Sequence, residues 1–311
     1  MAPSPAPLSV GVIGIGAFGS KIALRLLWTD FPSLQIYDAD DLTPRFFSNN
    51  YGGLNVGSPK MMAQNCQVIL TALPSAAALR DVCFGWQGLA TGFRQGGIVM
   101  DLGATDPVET VQLAKELGRH GVKLVDAPAF GTPDAAKEGQ LTLLVGGEDA
   151  VVDRCRPILD KLAVKVIRTG ATGSAQAAGA IADYLRAVRL LAASEAIRLG
   201  AHFGFDANTL LNVSEMLGGA DVPKVLASDV ATRRFKTGLQ LGVLRANVEL
   251  ASQLAGRAGL VLPLLSAANS AWSEAEGRLG YGADHSAIIK WLESLTVETP
   301  ETTSGQTDQS A

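Results

Sequence analysis

A glycine-rich turn between a short hydrophobic strand and a helix is the feature that most restricts the fold of this chain. Residues 8–13 form a predicted buried strand, and Gly14, Gly16 and Gly19 follow in a G-x-G-x-x-G pattern that opens a predicted helix over 17–28. The first glycine permits a tight turn, the second lets a pyrophosphate approach the backbone, and the third allows close helix–strand packing. The helix N-terminus offers N–H groups and a partial positive charge to phosphate. The pattern therefore predicts a dinucleotide-binding α/β unit.

The second predicted strand, over 34–37, ends on Asp38, which follows Gly19 by about 20 positions, as this motif requires. A carboxylate there can accept hydrogen bonds from both hydroxyls of a ribose, and it would repel a 2′-phosphate. Asp40 and Asp41 add to the negative field, although Arg45 lies nearby. We expect NAD as the cofactor in preference to NADP.

Strand and helix signals alternate as far as Gly170, which is typical of a parallel α/β sheet. Ser58-Pro59 predicts the start of a helix that runs to Asn65, and Asp106-Pro107 opens another helix, through Leu117. Further strands are predicted over 68–72, 98–100, 122–125, 141–145 and 164–168, with a helix at about 149–162. From Gly173 to about 199 the chain is alanine-rich and free of proline, and no strand signal follows it. We predict one long helix there and further helices at about 207–217, 222–231, 239–258 and 262–276. The predicted organisation is a disordered N-terminus (1–7), a dinucleotide-binding domain (8–170), an all-α substrate and dimerisation domain (171–297) and a disordered tail (298–311).

Composition excludes several other classes of protein. Only 18% of the 311 residues are charged and the net charge is −4, so we expect no nucleic-acid partner. The three cysteines and three histidines are widely spaced, which favours a reducing compartment and predicts no metal site. Because there is no apolar run of about 18 residues and no basic residue in 1–7, we expect no membrane span or signal peptide, and a cytoplasmic location.

Three motifs in order carry a family resemblance. Residues 126–132 read D-A-P-A-F-G-T, residues 139–142 read G-Q-L-T, and residues 146–147 read G-G. The chain, over about 8–295, resembles the β-hydroxyacid dehydrogenase family, whose members include 3-hydroxyisobutyrate dehydrogenase, tartronate semialdehyde reductase and, more distantly, 6-phosphogluconate dehydrogenase and imine reductases. The resemblance implies a Rossmann domain joined by a long interdomain helix to an all-α domain. It also implies a homodimer or homotetramer, an active site in the interdomain cleft, and reversible hydride transfer to or from a small-molecule substrate.

The positions that carry chemistry in this family differ here. The family's D-A-P-V-S-G-G segment holds a substrate carboxylate through its serine and glycines, but Phe130 stands at the serine position and Thr132 at the last glycine. The family's general acid/base lysine aligns with Gly179, and the asparagine four residues later aligns with Asp183. Glycine can neither donate nor accept a proton through a side chain.

Two further family pairs are also replaced. The later K-D pair reads Ala246 and Asn247, and the S-T pair after the fifth strand reads Gly103 and Ala104. Four polar positions have thus become small or apolar. We expect a roomier and more apolar substrate site, suited to a bulkier and less anionic substrate.

Helical geometry offers replacements for the lysine. Asp183 lies within about 40° of Gly179 around the predicted helix and Arg186 within about 20°, so these residues share one face. We predict that Asp183 donates and accepts the proton and that Arg186 tunes its charge or binds substrate. The alternative is an ordinary Asp–Arg pair one turn apart that holds the helix to the other domain. Weaker candidates are Arg245, Lys224, Lys236 and Asp221.

Three functions stay open: an NAD-dependent oxidoreductase of β-hydroxyacid dehydrogenase type with an atypical site, an imine reductase-like enzyme acting on a C=N bond, and a dinucleotide-binding protein without turnover. The predicted cofactor-binding residues are Gly14, Gly16, Ala17, Phe18, Gly19, Asp38, Leu73, Pro74 and Ala104. The predicted substrate-binding residues are Phe130, Gly131, Thr132, Gly179 and Asn247, and the predicted catalytic residues are Asp183 and Arg186.

Overall fold

The computed structural model describes residues 8–94, 96–202, 204–206, 208–209, 212 and 232–295. The strands of this described part are β1 (Val10–Ile13), β2 (Gln35–Tyr37), β3 (Leu54–Asn55), β4 (Val68–Thr71), β5 (Ile98–Asp101), β6 (Lys123–Asp126), β7 (Ala129–Phe130), β8 (Leu141–Gly146) and β9 (Ala163–Gly170). The α-helices are α1 (Gly19–Leu27), α2 (Leu42–Tyr51), α3 (Pro59–Asn65), α4 (Ala76–Phe84), α5 (Pro107–Gly118), α6 (Pro133–Glu138), α7 (Asp149–Leu162), α8 (Ser174–His202), α9 (Leu241–Arg257), α10 (Pro263–Leu279) and α11 (Ile288–Glu293).

The strands form one sheet in the order β3-β2-β1-β4-β5-β6-β8-β7, with β9 paired to β8. Strands β1 to β6 pair in parallel, and the chain reverses its direction of travel across the sheet between β3 and β4. The carboxyl end of β1 therefore lies at a topological switch point, where open α/β sheets bind ligands.

The prediction of a parallel sheet is wrong at one edge. Strand β8 pairs antiparallel with both β6 and β7. Strands β6 and β7, separated only by Ala127 and Pro128, pair with β8 in one continuous register. The physical reason for the antiparallel pairing is the short return from β7 to β8 through 131–140, because a parallel pair needs a crossover of a dozen or more residues.

Local sequence signals place several helix starts. Ser58 caps α3 by accepting a hydrogen bond from the Met61 N–H, with Pro59 at the first helical position. Asp106 caps α5 in the same way, through the Val108 N–H at 2.8 Å. The bounds of α7 are those predicted. Helices α2, α4, α6 and α11 and strands β3 and β7 were not predicted.

The central strands are buried on both faces, as expected for a sheet covered by helices on both sides. Successive residues of β1 alternate between the two apolar clusters: Val12 packs in the cluster that contains α1 and α7, and Ile13 in the cluster that contains α3 and the apolar face of α5. The loops at the carboxyl edge of the sheet therefore extend from strands that are packed on both faces.

The chain divides into two compact units, Met1–Val188 with Val243–Ser270, and Arg189–Gly242 with Ala271–Ala311. The whole sheet and the start of α8 belong to the first unit. In the second unit, the Asp284 carboxylate caps a short 3-10 helix before α11 by accepting a hydrogen bond from the Ser286 N–H at 3.0 Å.

Some predicted segments lie outside the described residues: 1–7, 222–231 and 298–311, together with most of 207–217. None of the described helices is both long and apolar enough to cross a membrane. Across the same residues, no group of three or more His, Cys, Asp or Glu side chains could hold a metal ion.

Candidate active site

The glycine-rich turn between β1 and α1 has the geometry that its sequence predicts. Gly14 has a φ of +90°, and a Cβ atom there would collide with the carbonyl oxygen of Ala72. A Cβ atom at Gly19 would collide with the carbonyl oxygen of Gly14, so α1 begins in close contact with the turn. Nothing lies within 4 Å of the Cβ position of Gly16. The middle glycine therefore leaves an open approach to the backbone, as a pyrophosphate requires.

Two other loops meet this turn at the carboxyl edge of the sheet. Leu73, after β4, has its Cδ2 atom 3.3 Å from the Cβ position of Gly14, and its carbonyl oxygen lies 3.2 Å from the Cβ position of Gly103, after β5. Pro74 and Ala104 are exposed in these loops. The structure thus brings Leu73, Pro74 and Ala104 to the same edge as the glycine turn.

Asp38 directly follows β2, beside the glycine-rich turn. Its Oδ2 atom accepts a hydrogen bond from the Ile15 N–H at 2.6 Å, and its Oδ1 atom accepts one from the Asp40 N–H at 3.1 Å. The side chain is therefore fixed at the turn, and each carboxylate oxygen keeps a second lone pair for another donor. This arrangement fits a ribose whose hydroxyls donate to the carboxylate. Ala17 is exposed and Phe18 is half-buried at the start of α1.

Two buried carboxylates, Asp101 and Asp126, are the last residues of β5 and β6, and the sequence analysis gave neither a role. The Asp126 side chain accepts hydrogen bonds from the N–H groups of Gly173, Ala175 and Gln176 at 2.8, 3.0 and 3.2 Å, and so caps the first turn of α8. Burial raises the pKa of Asp126 against these backbone hydrogen bonds. Asp101 lies opposite it in the sheet register.

The Asp101 carboxylate is buried in a network of neutral donors. Oδ1 accepts a hydrogen bond from the Thr71 hydroxyl at 2.8 Å and from the Gly103 N–H at 3.3 Å, and Oδ2 accepts one from the Thr105 hydroxyl at 3.4 Å. Burial raises the pKa of Asp101 to about 6, the negative charge of Asp126 adds to this effect, and the hydrogen bonds oppose it. Because acids at the ends of buried strands are a visible sequence feature, the two carboxylates could have been singled out.

Gln176 connects this network to the loop after β5. Its side chain is 2% exposed, its Oε1 atom accepts the Thr105 N–H at 3.0 Å, and its Nε2 atom donates to the Gly103 carbonyl oxygen at 2.9 Å. The same Nε2 atom donates to Asp101 at 3.4 Å. The sequence pattern offered no direct signal for this contact, which joins positions about 70 residues apart.

Phe130 lies directly against Gly179. The Cζ atom of the ring is 3.5 Å from the Cβ position of residue 179, and the Cγ atom of Pro128 is 3.6 Å from it. The Arg186 guanidinium lies over the same ring, with its Cζ atom 5.7 Å from the ring centroid. Phe130 and Gly179 are therefore neighbours in space, and the Arg186 cation lies against the face of the Phe130 ring.

Asp183 is held one turn further along α8. It is 6% exposed, its Oδ2 atom accepts a hydrogen bond from Asn247 Nδ2 at 2.6 Å, and its Oδ1 atom is 3.5 Å from Arg186 Nε. Both contacts stabilise a carboxylate anion. The structure thus joins Gly179, Asp183, Arg186 and Asn247 in one cluster, with Phe130 beside it.

The remaining sequence candidates are less central. Gly131 and Thr132 are exposed, and the Thr132 hydroxyl caps α6 by accepting from the Ala135 N–H at 3.1 Å. Arg245 forms an ion pair with Glu249 at 3.4 Å. Lys236 is exposed, while Asp221 and Lys224 lie outside the described residues.

Family models match nearly the whole chain. Residues 9–170 match the NAD binding domain of 6-phosphogluconate dehydrogenase, and residues 173–292 match the NAD-binding domain of NADP-dependent 3-hydroxyisobutyrate dehydrogenase. The chain is 24% identical over 291 residues to 2-hydroxy-3-oxopropionate reductase of Escherichia coli, covering 93% of this chain and 98% of that one. It is 29% identical over 255 residues to the mitochondrial 3-hydroxyisobutyrate dehydrogenase of Bos taurus, covering 79% and 75%.

Solved structures share the fold. The 3-hydroxyisobutyrate dehydrogenase of Mycobacterium tuberculosis, solved with L-serine, superposes with a TM-score of 0.84 at 23% identity, covering 92% of this chain and 99% of that one. An imine reductase from Myxococcus stipitatus, solved with NAD+, gives a TM-score of 0.57 at 16% identity, covering 92% and 99%. These similarities confirm the predicted Rossmann domain followed by an all-α domain.

The fold, the dinucleotide turn and the named relatives define an NAD(P)-dependent oxidoreductase. The chain belongs to the β-hydroxyacid dehydrogenase family.

Proposed function

We propose that this chain transfers hydride between NAD and the hydroxyl or carbonyl group of a small molecule, with Asp183 rather than a lysine as the proton-transfer group. The observation that carries the proposal is the cluster around Gly179. The position aligned with the family's lysine has no side chain, whereas a buried carboxylate one turn away is hydrogen-bonded to Asn247 and paired with Arg186.

We propose NAD rather than NADP as the cofactor, because of the residues around the glycine turn. Gly14, Gly16 and Gly19 fit a pyrophosphate, and Asp38 is held beside the turn with lone pairs left for a ribose. A 2′-phosphate would meet the negative charge of the same carboxylate. When bound, the nicotinamide ring supplies or accepts the hydride. Leu73, Pro74 and Ala104 would line its side of the site.

We propose that Asp183 transfers the proton in both directions of the reaction. In the oxidation direction, the ionised carboxylate takes the proton of the substrate hydroxyl as the substrate carbon loses a hydride, and a carbonyl group remains. In the reduction direction, the carboxylic acid returns that proton to the carbonyl oxygen. Asn247 and Arg186 stabilise the anion that accepts the proton and hold it at a defined place on α8.

The substrate part of the proposal follows from the surroundings of Gly179. Phe130 and Pro128 form an apolar wall, and the positive charge of Arg186 is balanced by Asp183. The site has no serine hydroxyl at position 130 to hold a carboxylate. We propose a substrate with an aromatic or large alkyl group and less negative charge than a hydroxyacid.

A second candidate is reduction of a C=N bond. An iminium carbon is already electrophilic and accepts hydride with little help from an acid, so a glycine at position 179 is compatible with this reaction. The apolar contact of Phe130 with residue 179 favours a cyclic or aryl-substituted imine over a hydroxyacid.

A substrate panel tests these proposals. Purified protein is assayed with NAD(H) and with NADP(H) against 3-hydroxyacids, aryl alcohols, aldehydes and cyclic imines, while NAD+ binding is measured by calorimetry. Turnover of aryl or alkyl carbonyl compounds with NAD(H) supports the leading proposal, and turnover of imines alone supports the second. Tight NAD+ binding with no turnover of any class would contradict both and favour a non-catalytic dinucleotide-binding protein. Light scattering in the same buffer tests the proposed homodimer or homotetramer.

A further inference from the structure

The side-chain amide of Gln176 clamps the loop segment on both sides of Ala104. Its Nε2 atom donates to the carbonyl oxygen of Gly103 at 2.9 Å, and its Oε1 atom accepts from the N–H of Thr105 at 3.0 Å. A buried amide that satisfies one backbone acceptor and one backbone donor two residues apart fixes the peptide between them in position and orientation. Ala104 itself is exposed at the cofactor edge of the sheet.

The position of Gln176 is fixed by hydrogen bonds at the start of α8. The backbone N–H of Gln176 donates to Asp126 at 3.2 Å, together with those of Gly173 and Ala175. Asp101 holds the loop side, through the Gly103 N–H at 3.3 Å and the Thr105 hydroxyl at 3.4 Å. Two buried carboxylates on adjacent strands thus anchor the two parts that Gln176 joins.

Gln176 also shares a helix face with the proposed proton-transfer site. Residues three and seven positions further along α8 are Gly179 and Asp183. At about 100° per residue, they lie within about 60° of Gln176 around the helix axis. The face that meets Ala104 at the first turn of α8 therefore carries Asp183 two turns later.

We propose that Gln176 is a positioning residue that sets the loop at Ala104 against α8, and thereby sets the nicotinamide half of the cofactor relative to Asp183. The inference rests on the proposed cofactor site, but it makes a claim about binding that needs no turnover. The described hydrogen bonds of the Gln176 amide go to Asp101, Gly103 and Thr105, at the end of β5 and in the loop after it, and none of them goes to the glycine turn at Gly14–Gly19. We therefore expect the clamp to act on one half of the dinucleotide.

Two substitutions separate the hydrogen bonds of the amide from its volume. Gln176→Met keeps the length of the side chain and removes both hydrogen bonds. Gln176→Glu keeps the shape, but in its ionised form it cannot donate to Gly103 and places a second negative charge beside Asp101, with Asp126 also nearby. Once protonated, the same carboxyl can donate to Gly103 and accept from Thr105, as the amide does. Gln64→Glu, on the exposed surface of α3, is the matched control.

The experiment is calorimetric titration of each protein with NAD+ and with ADP-ribose, which lacks the nicotinamide, at pH 8 and pH 5.5, with wild type as the reference at each pH. We expect both Gln176 variants to raise the Kd of NAD+ about tenfold at pH 8 and to leave the Kd of ADP-ribose within about twofold. At pH 5.5 the Kd of NAD+ for Gln176→Glu should return toward wild type, and that for Gln176→Met should not.

Equal weakening of NAD+ and ADP-ribose, no weakening of either, or no NAD+ binding by the wild type would overturn the inference. If both variants unfold, hydrogen exchange of the wild-type protein tests the clamp instead. The Thr105 amide should exchange as slowly as the amides of β5. Exchange of the Thr105 amide at the rate of an exposed loop would contradict the clamp. Failure of the substrate panel would overturn the proposed reaction and leave this binding contrast intact.

Discussion

The Phe130 ring lies 3.5 Å from the position that a Cβ atom would take at Gly179. This is an ordinary van der Waals distance, so position 179 has room for one methyl group, while a longer side chain must pass the ring. Since glycine in a helix interior costs about 0.5–1 kcal/mol relative to alanine, Gly179→Ala should raise the free energy of unfolding by about that amount. Urea denaturation measures it, with Gly19→Ala as a contrast that should destabilise because its Cβ would collide with Gly14. A destabilised Gly179→Ala would show that the space is not available.

The same contact predicts that Gly179→Lys and Phe130→Ser are coupled. The lysine alone must displace the ring or bury its ammonium, whereas the serine opens the path toward the space that the ring fills. Denaturation of the four proteins of a double-mutant cycle should give a favourable coupling energy of about 1 kcal/mol or more. Additive effects within about 0.5 kcal/mol would contradict the direct packing of the Phe130 ring against position 179.

The buried carboxylate of Asp101 predicts a pH dependence of stability. Burial raises its pKa to about 6, from an ordinary value of 3.8. Between these values the folded state binds more protons than the unfolded state, so this group's contribution to stability is greatest at low pH and falls as pH rises toward 6. The free energy of unfolding of Asp101→Asn minus that of wild type should therefore increase between pH 4.5 and 6.5 by about 2 kcal/mol, and stay nearly constant above pH 7. Urea denaturation at four pH values measures this difference. A difference that does not change with pH would show that Asp101 titrates normally.

Asp38 predicts the choice of cofactor. The Asp38→Ser variant removes the negative charge that would repel a 2′-phosphate, while a hydroxyl remains for a ribose. We expect the ratio of NADP+ to NAD+ affinity to rise at least about tenfold, measured by calorimetry. Asp41→Ser, at an exposed neighbouring carboxylate, is the control for a general loss of negative charge. A wild-type protein that binds NADP+ tenfold more tightly than NAD+ would contradict the assignment.

Local signals in the sequence were enough for much of the Rossmann unit. The glycine turn, the Ser58-Pro59 helix start and the bounds of α7 follow from backbone sterics, capping and apolar periodicity, which act within a few residues. Helix α2, with Pro44 near its start, and the two-residue strands β3 and β7 carry weak local signals and form because the surrounding sheet and helices support them.

The candidate site was only partly accessible from sequence. Periodicity placed Gly179, Asp183 and Arg186 on one face of α8, but the hydrogen bond from Asn247 to Asp183 joins residues 64 positions apart. The contact between Phe130 and Gly179 and the clamp formed by Gln176 also depend on packing between distant segments. Such contacts are set by the tertiary fold, which a pattern within one helix does not contain.

The role of Asp183 is tested most directly by the Asp183→Asn variant, because the amide keeps the shape of the side chain but cannot exchange the proton. Single-turnover rates are measured with whichever substrate class the wild type accepts, and Asp160→Asn on the exposed surface of α7 serves as the matched control. We expect Asp183→Asn to slow hydride transfer by at least about a hundredfold, with NAD+ affinity and thermal stability close to wild type, and we expect the control to be unchanged. A rate for Asp183→Asn within about twofold of wild type would contradict proton transfer by Asp183.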